Sequence, residues 1–121
     1  MIVENTQTQM RKGILEYCIL SIISRGEIYA SDIINELKIA RLLVVEGTLY
    51  PLLTRLKNNE LLSYSWKESS AGPPRKYYQI TNAGLTVLKA LDETWGELVF
   101  AVKTATALRN KEENKGINDK I

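Results

Sequence analysis

Apolar residues recur at helical spacing through most of the first 60 positions, and they predict three helices. Between residues 9 and 25 the apolar positions cover more than one helical face, as expected of a helix that is enclosed by other elements or shared with a partner. Arg25-Gly26 predicts the end of this helix, since glycine commonly follows the last helical turn. Cys18 lies within the apolar pattern, which favours a core filler over a reactive thiol.

Two shorter helices follow. The first is predicted over residues 30–38, with Ser31 or Asp32 serving its N-terminus. The second covers residues 46–58 and carries Pro51 inside its apolar pattern. Because proline removes one helical hydrogen bond, we expect a continuous helix with a local irregularity in its early turns. The predicted buried faces consist of Ile33, Ile34 and Leu37, and of Leu49, Leu52, Leu53 and Leu56.

Alternation of apolar and polar residues then predicts a two-stranded hairpin. Its strands cover residues 61–67 and 75–80, and the loop between them, 68–74, is rich in serine, glycine and proline. Arg75 and Lys76 lie at the base of this loop. The hairpin is therefore a candidate wing, which would hold cations out toward a ligand.

The last predicted helix begins after Thr81, the expected N-cap, and carries an apolar seam at spacings of three and four. The seam consists of Leu85, Leu88, Leu91, Trp95, Leu98 and Val102. A helix over residues 82–108 would be about 40 Å long at 1.5 Å per residue. That is longer than so small a domain needs, so the seam implies a partner, most simply a second copy.

These elements make the fold class mainly α with a small β-hairpin, in the order of a winged helix-turn-helix. We expect four segments: a flexible N-terminus at 1–8, the helices and wing at 9–80, a dimerisation helix at 81–108 and a disordered tail at 109–121.

Charge is unevenly distributed, although the net charge of the 121-residue chain is only +2. Residues 38–76 hold seven basic and three acidic residues, a net charge of +4, which leaves −2 for the remainder. The outward side of the third helix carries hydrogen-bond donors and no carboxylate. These donors belong to Thr48, Tyr50, Thr54, Arg55 and Lys57. Such donors suit phosphates and base edges, so this is a candidate recognition helix, although charge alone would also suit a solvated face.

The sequence has one cysteine and no histidine. A single cysteine excludes an intrachain disulfide, and without a signal-like segment we expect a cytoplasmic protein. No apolar run approaches the roughly 18 residues that a membrane span needs. Because the chain lacks histidine and a convergent carboxylate pair, we predict neither an enzyme nor a metal or cofactor site.

Two segments carry a more specific pattern, E-G-T-L-Y-P-L-L-T-R-L at residues 46–56 and G-P-P-R-K-Y-Y-Q-I-T-N-A-G at residues 72–84. Both resemble signatures of the PadR family of bacterial transcriptional regulators. The resemblance covers residues 9–102, and the single last helix is similar to that of the short subfamily. It implies a homodimeric repressor on a palindromic operator in double-stranded DNA, with the third helix in the major groove.

The DNA contacts of the family can be assigned to matching positions in this sequence. The resemblance then implies contacts from Thr48, Tyr50 and Arg55 in the third helix. It also implies contacts from Arg75 and Lys76 in the wing. We add Lys57, whose ammonium would reach phosphate, and Ser31 at the start of the second helix. Trp66 and one of the neighbours Tyr77 and Tyr78 are interpreted as packing residues. The alternative function is a winged-helix interaction module whose basic face binds an acidic protein partner.

Short members of the family that regulate multidrug transporters bind flat aromatic compounds at the dimer centre, between tryptophans of the last helix. Trp95 falls at that position. The resemblance therefore implies a planar aromatic effector that contacts Trp95, with Asp92 and Val99 as further candidate contacts. A tryptophan in an apolar seam also suits a dimer core, so both interpretations stay open.

Two positions depart from the family pattern. Glu60 stands where glycine is frequent, and we expect Asn59 to take the left-handed conformation in its place. Val45 replaces a frequent capping serine, so the start of the third helix should be poorly capped.

Overall fold

The computed structural model describes the backbone of residues 2–42 and 44–119 and the side chains of residues 2–42 and 44–114. Its elements are α1 (Ile2–Ile23), β1 (Ile28–Tyr29), α2 (Ala30–Ile39), α3 (Glu46–Asn58), β2 (Leu62–Ser69), β3 (Gly72–Ile80) and α4 (Asn82–Asp119). The predicted class, mainly α with a small hairpin and a long last helix, is confirmed. Met1–Leu88 form one compact unit and Lys89–Ile121 a second, so α4 begins in the first unit and continues in the other.

The core of the first unit is built from the faces that helical spacing predicted. Its buried side chains are Leu15, Ile19, Leu20, Ile23, Ala30, Ile33, Leu37, Val44, Leu49, Leu53, Leu56, Leu62, Tyr78 and Leu88. Tyr78 is thus the packed member of the tyrosine pair, and its burial, followed by the neighbouring phenols of Tyr50 and Tyr64, raises its pKa. Burial also raises the pKa of the Cys18 thiol, which agrees with a packing role for that residue.

The hairpin belongs to a three-stranded antiparallel sheet in the order β1-β3-β2. β1 pairs with Tyr77 and Tyr78, and β2 pairs along β3 from Leu62 opposite Ile80 to Ser69 opposite Gly72. The sequence pattern did not predict β1, because two residues are too few to display alternation.

The loop expected over residues 68–74 is too long. The strands continue to Ser69 and resume at Gly72, which leaves a turn of two residues. The predicted loop rested on Pro73 and Pro74, but β1 reaches only the other end of β3. These prolines therefore lie on a part of β3 with one open edge, where a missing N–H is tolerated.

Both ends of the chain are more helical than predicted. α1 begins at Ile2, so residues 2–8 are helical with exposed side chains, and the flexibility expected at 1–8 stays a prediction. α4 continues to Asp119, so the disordered tail expected at 109–121 is wrong for residues 109–119, while 120–121 lie outside the described residues. Neither end displays apolar periodicity, yet both contain helix-forming glutamates, glutamines or lysines.

α3 is continuous from Glu46 to Asn58 with Pro51 inside it, so the predicted helix is confirmed. Its N-cap is Val45, which offers no side-chain hydrogen bond, as expected. Because Pro51 has no N–H, the carbonyl of Gly47 loses its usual helical donor. The first turns of α3 therefore lack one backbone hydrogen bond of a regular helix.

The turn after α3 corrects one expectation. Glu60, not Asn59, takes the left-handed conformation, with φ of 63°. The N–H of Leu61 donates to the carbonyl of Leu56 and that of Glu60 to the carbonyl of Lys57, which is the Schellman pattern. This pattern requires positive φ at the residue after the C-cap, and that residue is Glu60.

The cap of α4 is built as predicted. The Thr81 hydroxyl accepts the N–H of Gly84 at 3.0 Å and donates to the carbonyl of Glu60 at 2.7 Å. It therefore joins the start of α4 to the end of α3 within the first unit.

Candidate nucleic-acid interface

The exposed side of α3 has two flanks. Tyr50 faces the hairpin and the start of α2, whereas Thr48 and Arg55 face α1. Helical geometry places Pro51 and Thr54, both exposed, between these flanks. The seven residues predicted to contact DNA are therefore distributed around α3 instead of forming one cluster.

A cleft of about 510 Å³ lies on the hairpin side of α3. Its lining consists of Tyr29, Ala30, Ser31, Tyr50, Trp66, Arg75, Lys76 and Tyr78. Four predicted contacts, Ser31, Tyr50, Arg75 and Lys76, are thereby brought to one place from three different elements. We call this feature the wing cleft.

Aromatic side chains hold the cations of the wing cleft. Nη1 of Arg75 donates to the Tyr29 hydroxyl at 2.8 Å, and its guanidinium lies 4.9 Å from the centroid of the same ring. Nζ of Lys76 lies 4.3 Å from the Tyr64 ring centroid and 5.3 Å from that of Trp66. These contacts orient the cations without cancelling their charge.

Lys57 joins this arrangement from α3. Its Nζ lies 5.5 Å from the Tyr64 ring centroid, so Tyr64 has a lysine of the helix and a lysine of the wing near one ring. Lys67, in contrast, is ion-paired with Glu27, which also accepts a hydrogen bond from Gln79. Within the part of the chain that the structure describes, no carboxylate is paired with Lys57, Arg75 or Lys76.

The interpretation of Trp66 as a packing residue is wrong, since 63% of its surface is exposed. Alternation along β2 correctly placed Trp66 on the face of Tyr64, but it cannot reveal whether that face is covered. The strand register could have indicated the exposure of Trp66, because it sets Trp66 directly opposite the charged Lys76.

A second groove, of about 630 Å³, lies between α3 and the middle of α1. Thr48 and Arg55 line it together with Gln9, Lys12 and Glu16. Arg55 is ion-paired with Glu16, and Oε1 of Glu16 is enclosed from solvent. The sequence did not predict this pair, because the two residues are 39 positions apart and belong to different helices.

The seam of α4 is only partly covered in the single chain. Leu88 is buried and Leu91 is partly covered, whereas Leu85, Trp95, Leu98 and Val102 are exposed. Asp92 is exposed and Val99 is half-buried. In the single chain most of the predicted dimerisation seam is thus open to solvent.

No helix among the described residues combines the length and apolarity of a membrane span. The described residues also include no cluster of three or more cysteine or carboxylate side chains able to hold a metal ion.

Comparisons with known proteins agree with this architecture. The model of the PadR-like transcriptional regulator family matches residues 19–90. A curated but uncharacterized protein of Lysinibacillus sphaericus is 31% identical over 90 residues, covering 72% of this chain and 83% of its own.

Solved structures of such regulators are also similar. A PadR-like transcription factor from Bacteroides fragilis is 60% identical, with a TM-score of 0.70 over 82% of this chain and 96% of its own. A PadR-like regulator from Bacillus cereus is 42% identical, with a TM-score of 0.72 over 79% and 94% of the two chains. A PadR family regulator from Eggerthella lenta is 32% identical, with a TM-score of 0.77 over 85% of this chain and 90% of its own. The chain therefore belongs to the PadR-like family of transcriptional regulators.

Proposed function

We propose that the protein is a dimeric repressor that binds a palindromic operator through α3, the start of α2 and the wing. The observation that carries the proposal is the wing cleft, where Ser31, Tyr50, Arg75 and Lys76 converge. Among the described residues, neither of its two cations is paired with a carboxylate. Donors that converge from a helix start, a recognition helix and a wing suit a DNA backbone and its adjoining groove.

The parts of this face have different tasks. Arg75, Lys76 and Lys57 contact phosphates, which fixes the register of the protein on the duplex. The exposed side of α3, which includes Tyr50 and Thr54, lies in the major groove and reads base edges. Trp66 stands beside Lys76 and packs against the sugar-phosphate backbone.

Two copies associate through the exposed seam of α4, which sets the distance between their recognition helices at about one turn of DNA, about 34 Å. Exposed Trp95, Leu98 and Val102 support this part of the proposal, since such apolar side chains are normally covered by a partner. A planar aromatic effector at the dimer centre, against Trp95, would release the repressor by favouring a different spacing. Sedimentation equilibrium should report a dimer at micromolar concentration, and a monomer would contradict this assembly.

Because one tryptophan lies in the wing cleft and the other in α4, the DNA face can be tested separately from the proposed effector site. In the variant Trp95→Phe the remaining indole is Trp66, in the wing cleft. We expect its emission to change by at least about 20% on addition of operator DNA, because a covered indole changes its solvent exposure. Emission that stays constant while fluorescence anisotropy of labelled DNA reports binding would place Trp66 outside the interface.

The variant Trp66→Phe tests the effector in the same way. Its remaining indole is Trp95, and a planar aromatic cation bound at the dimer centre should quench it with saturation. Quenching of equal size in Trp95→Phe would show that the compound binds elsewhere.

A further inference from the structure

The ion pair between Arg55 and Glu16 distinguishes Arg55 from the other cations of the DNA face. The Arg55 side chain is 65% exposed and that of Glu16 is 29% exposed. Oε1 of Glu16 is enclosed from solvent and accepts no hydrogen bond, so its contact with Nη2 of Arg55 is an ion pair. Among the described cations that we assign to DNA, Arg55 alone is paired with a carboxylate, whereas Lys57, Arg75 and Lys76 lie over aromatic rings.

This pair has a direct consequence for binding to DNA. A cation that contributes to sequence-independent affinity does so by replacing counterions on a phosphate. While the pair is intact, the Glu16 carboxylate offsets the positive charge with which Arg55 would displace counterions, and separation of the pair would leave the enclosed Glu16 oxygen without its charged partner. The guanidinium has five N–H donors in a planar fork, so donors not bound by Glu16 remain available to a base edge.

We propose that Glu16 is a specificity-determining residue, which withholds Arg55 from phosphates and presents it to a base edge of the operator. The inference rests on the proposed DNA-binding function of α3. Glu16 itself touches no DNA in this arrangement and acts through Arg55. Non-specific binding is therefore weaker than the charges of the face would otherwise give, and the operator is favoured over other sequences.

The test compares Glu16→Gln with a matched control, Glu36→Gln. Glu36 is paired with Arg25, and the exposure of that pair, 34% and 61%, is close to that of Glu16 and Arg55. Both substitutions remove one negative charge, but Glu36 and Arg25 do not line the groove beside α3. Binding is measured by fluorescence anisotropy on the duplex from upstream of the protein's own gene and on a shuffled duplex, each across a salt series.

We expect Glu16→Gln to bind the shuffled duplex about 5- to 10-fold more tightly at 0.1 M salt, with a salt slope steeper by about 0.9 per subunit. Affinity for the upstream duplex should rise less, so that the ratio of the affinity for the upstream duplex to that for the shuffled duplex falls. Glu36→Gln should retain the wild-type ratio. In an Arg55→Ala background, Glu16→Gln should have no further effect on the salt slope.

Three results would overturn the inference: an unchanged slope in Glu16→Gln, the same change in Glu36→Gln, or a change that persists without Arg55. If the wild-type protein binds neither duplex, the proposed function fails and the inference fails with it. If the wild-type protein binds the upstream duplex normally but Glu16→Gln behaves like the control, only the role of Glu16 is rejected.

Discussion

Replacing Gly84 with alanine should lower the free energy of unfolding by about 3 kcal/mol. A β-carbon at this position would lie 2.6 Å from Cγ1 of Ile80 and well inside contact distance of the Leu61 carbonyl oxygen. That carbonyl already accepts the N–H of Thr81 at 3.1 Å, so the backbone cannot withdraw without losing a hydrogen bond. We expect the midpoint of thermal unfolding, followed by circular dichroism, to fall by at least about 12 °C.

The matched control for this prediction is Gly13→Ala. Gly13 lies inside α1, and a β-carbon added there would meet nothing within 4 Å, so alanine should stabilise the helix by up to about 1 kcal/mol. Both variants and the wild type must be compared at one protein concentration, because association shifts apparent stability. An unchanged midpoint in Gly84→Ala would contradict the close approach of α4 to Leu61 and Ile80.

Combined substitution of Arg75 and Lys76 by alanine should weaken operator binding by about 100-fold per subunit at 0.1 M salt, and reduce the salt slope by about 1.8 per subunit. The physical reason is that each wing cation replaces counterions on one phosphate, and neither is neutralised within the described chain. The measurement is anisotropy of a labelled operator across a salt series, with the dimer checked by gel filtration.

Lys67→Ala is the control, because Lys67 belongs to the same hairpin but is ion-paired with Glu27. It removes one positive charge, so a general effect of net charge would appear there as well. We expect less than about a threefold loss of affinity, as for a cation that is already compensated. Equal losses per charge in the two experiments would show that the wing acts through net charge and not through the wing cleft.

Periodicity predicted most of the fold, because burial of one helical face leaves a mark within a few neighbouring residues. The leucines of α3 are such a local mark. The alternation of apolar and polar residue types indicated β2 and β3, although burial along β2 does not alternate. Features without a local repeat were missed, as with the two-residue β1 and the exposed first turns of α1. The left-handed residue after α3 was misplaced because asparagine usually tolerates that conformation better than glutamate, yet hydrogen bonding to Leu56 and Lys57 fixed it at Glu60.

The candidate site was predictable as a set of residues but not as an arrangement. Motifs indicated Tyr50, Arg75 and Lys76, and the structure brings these together in the wing cleft. The exposure of Trp66 depends on what covers a sheet face, and the pairing of Arg55 with Glu16 depends on how α1 crosses α3. Both are properties of tertiary packing, which no single segment of the sequence records.

The central claim is that this face of the protein reads a DNA sequence. The most direct measurement is the affinity of the wild-type protein for the duplex upstream of its own gene, compared with a shuffled duplex of the same length and composition at about 0.15 M salt. We predict at least about 1,000-fold tighter binding to the upstream duplex, within the range of specific DNA-binding proteins. Equal affinity for both duplexes would contradict this claim and would favour a module that binds acidic protein partners through its basic face.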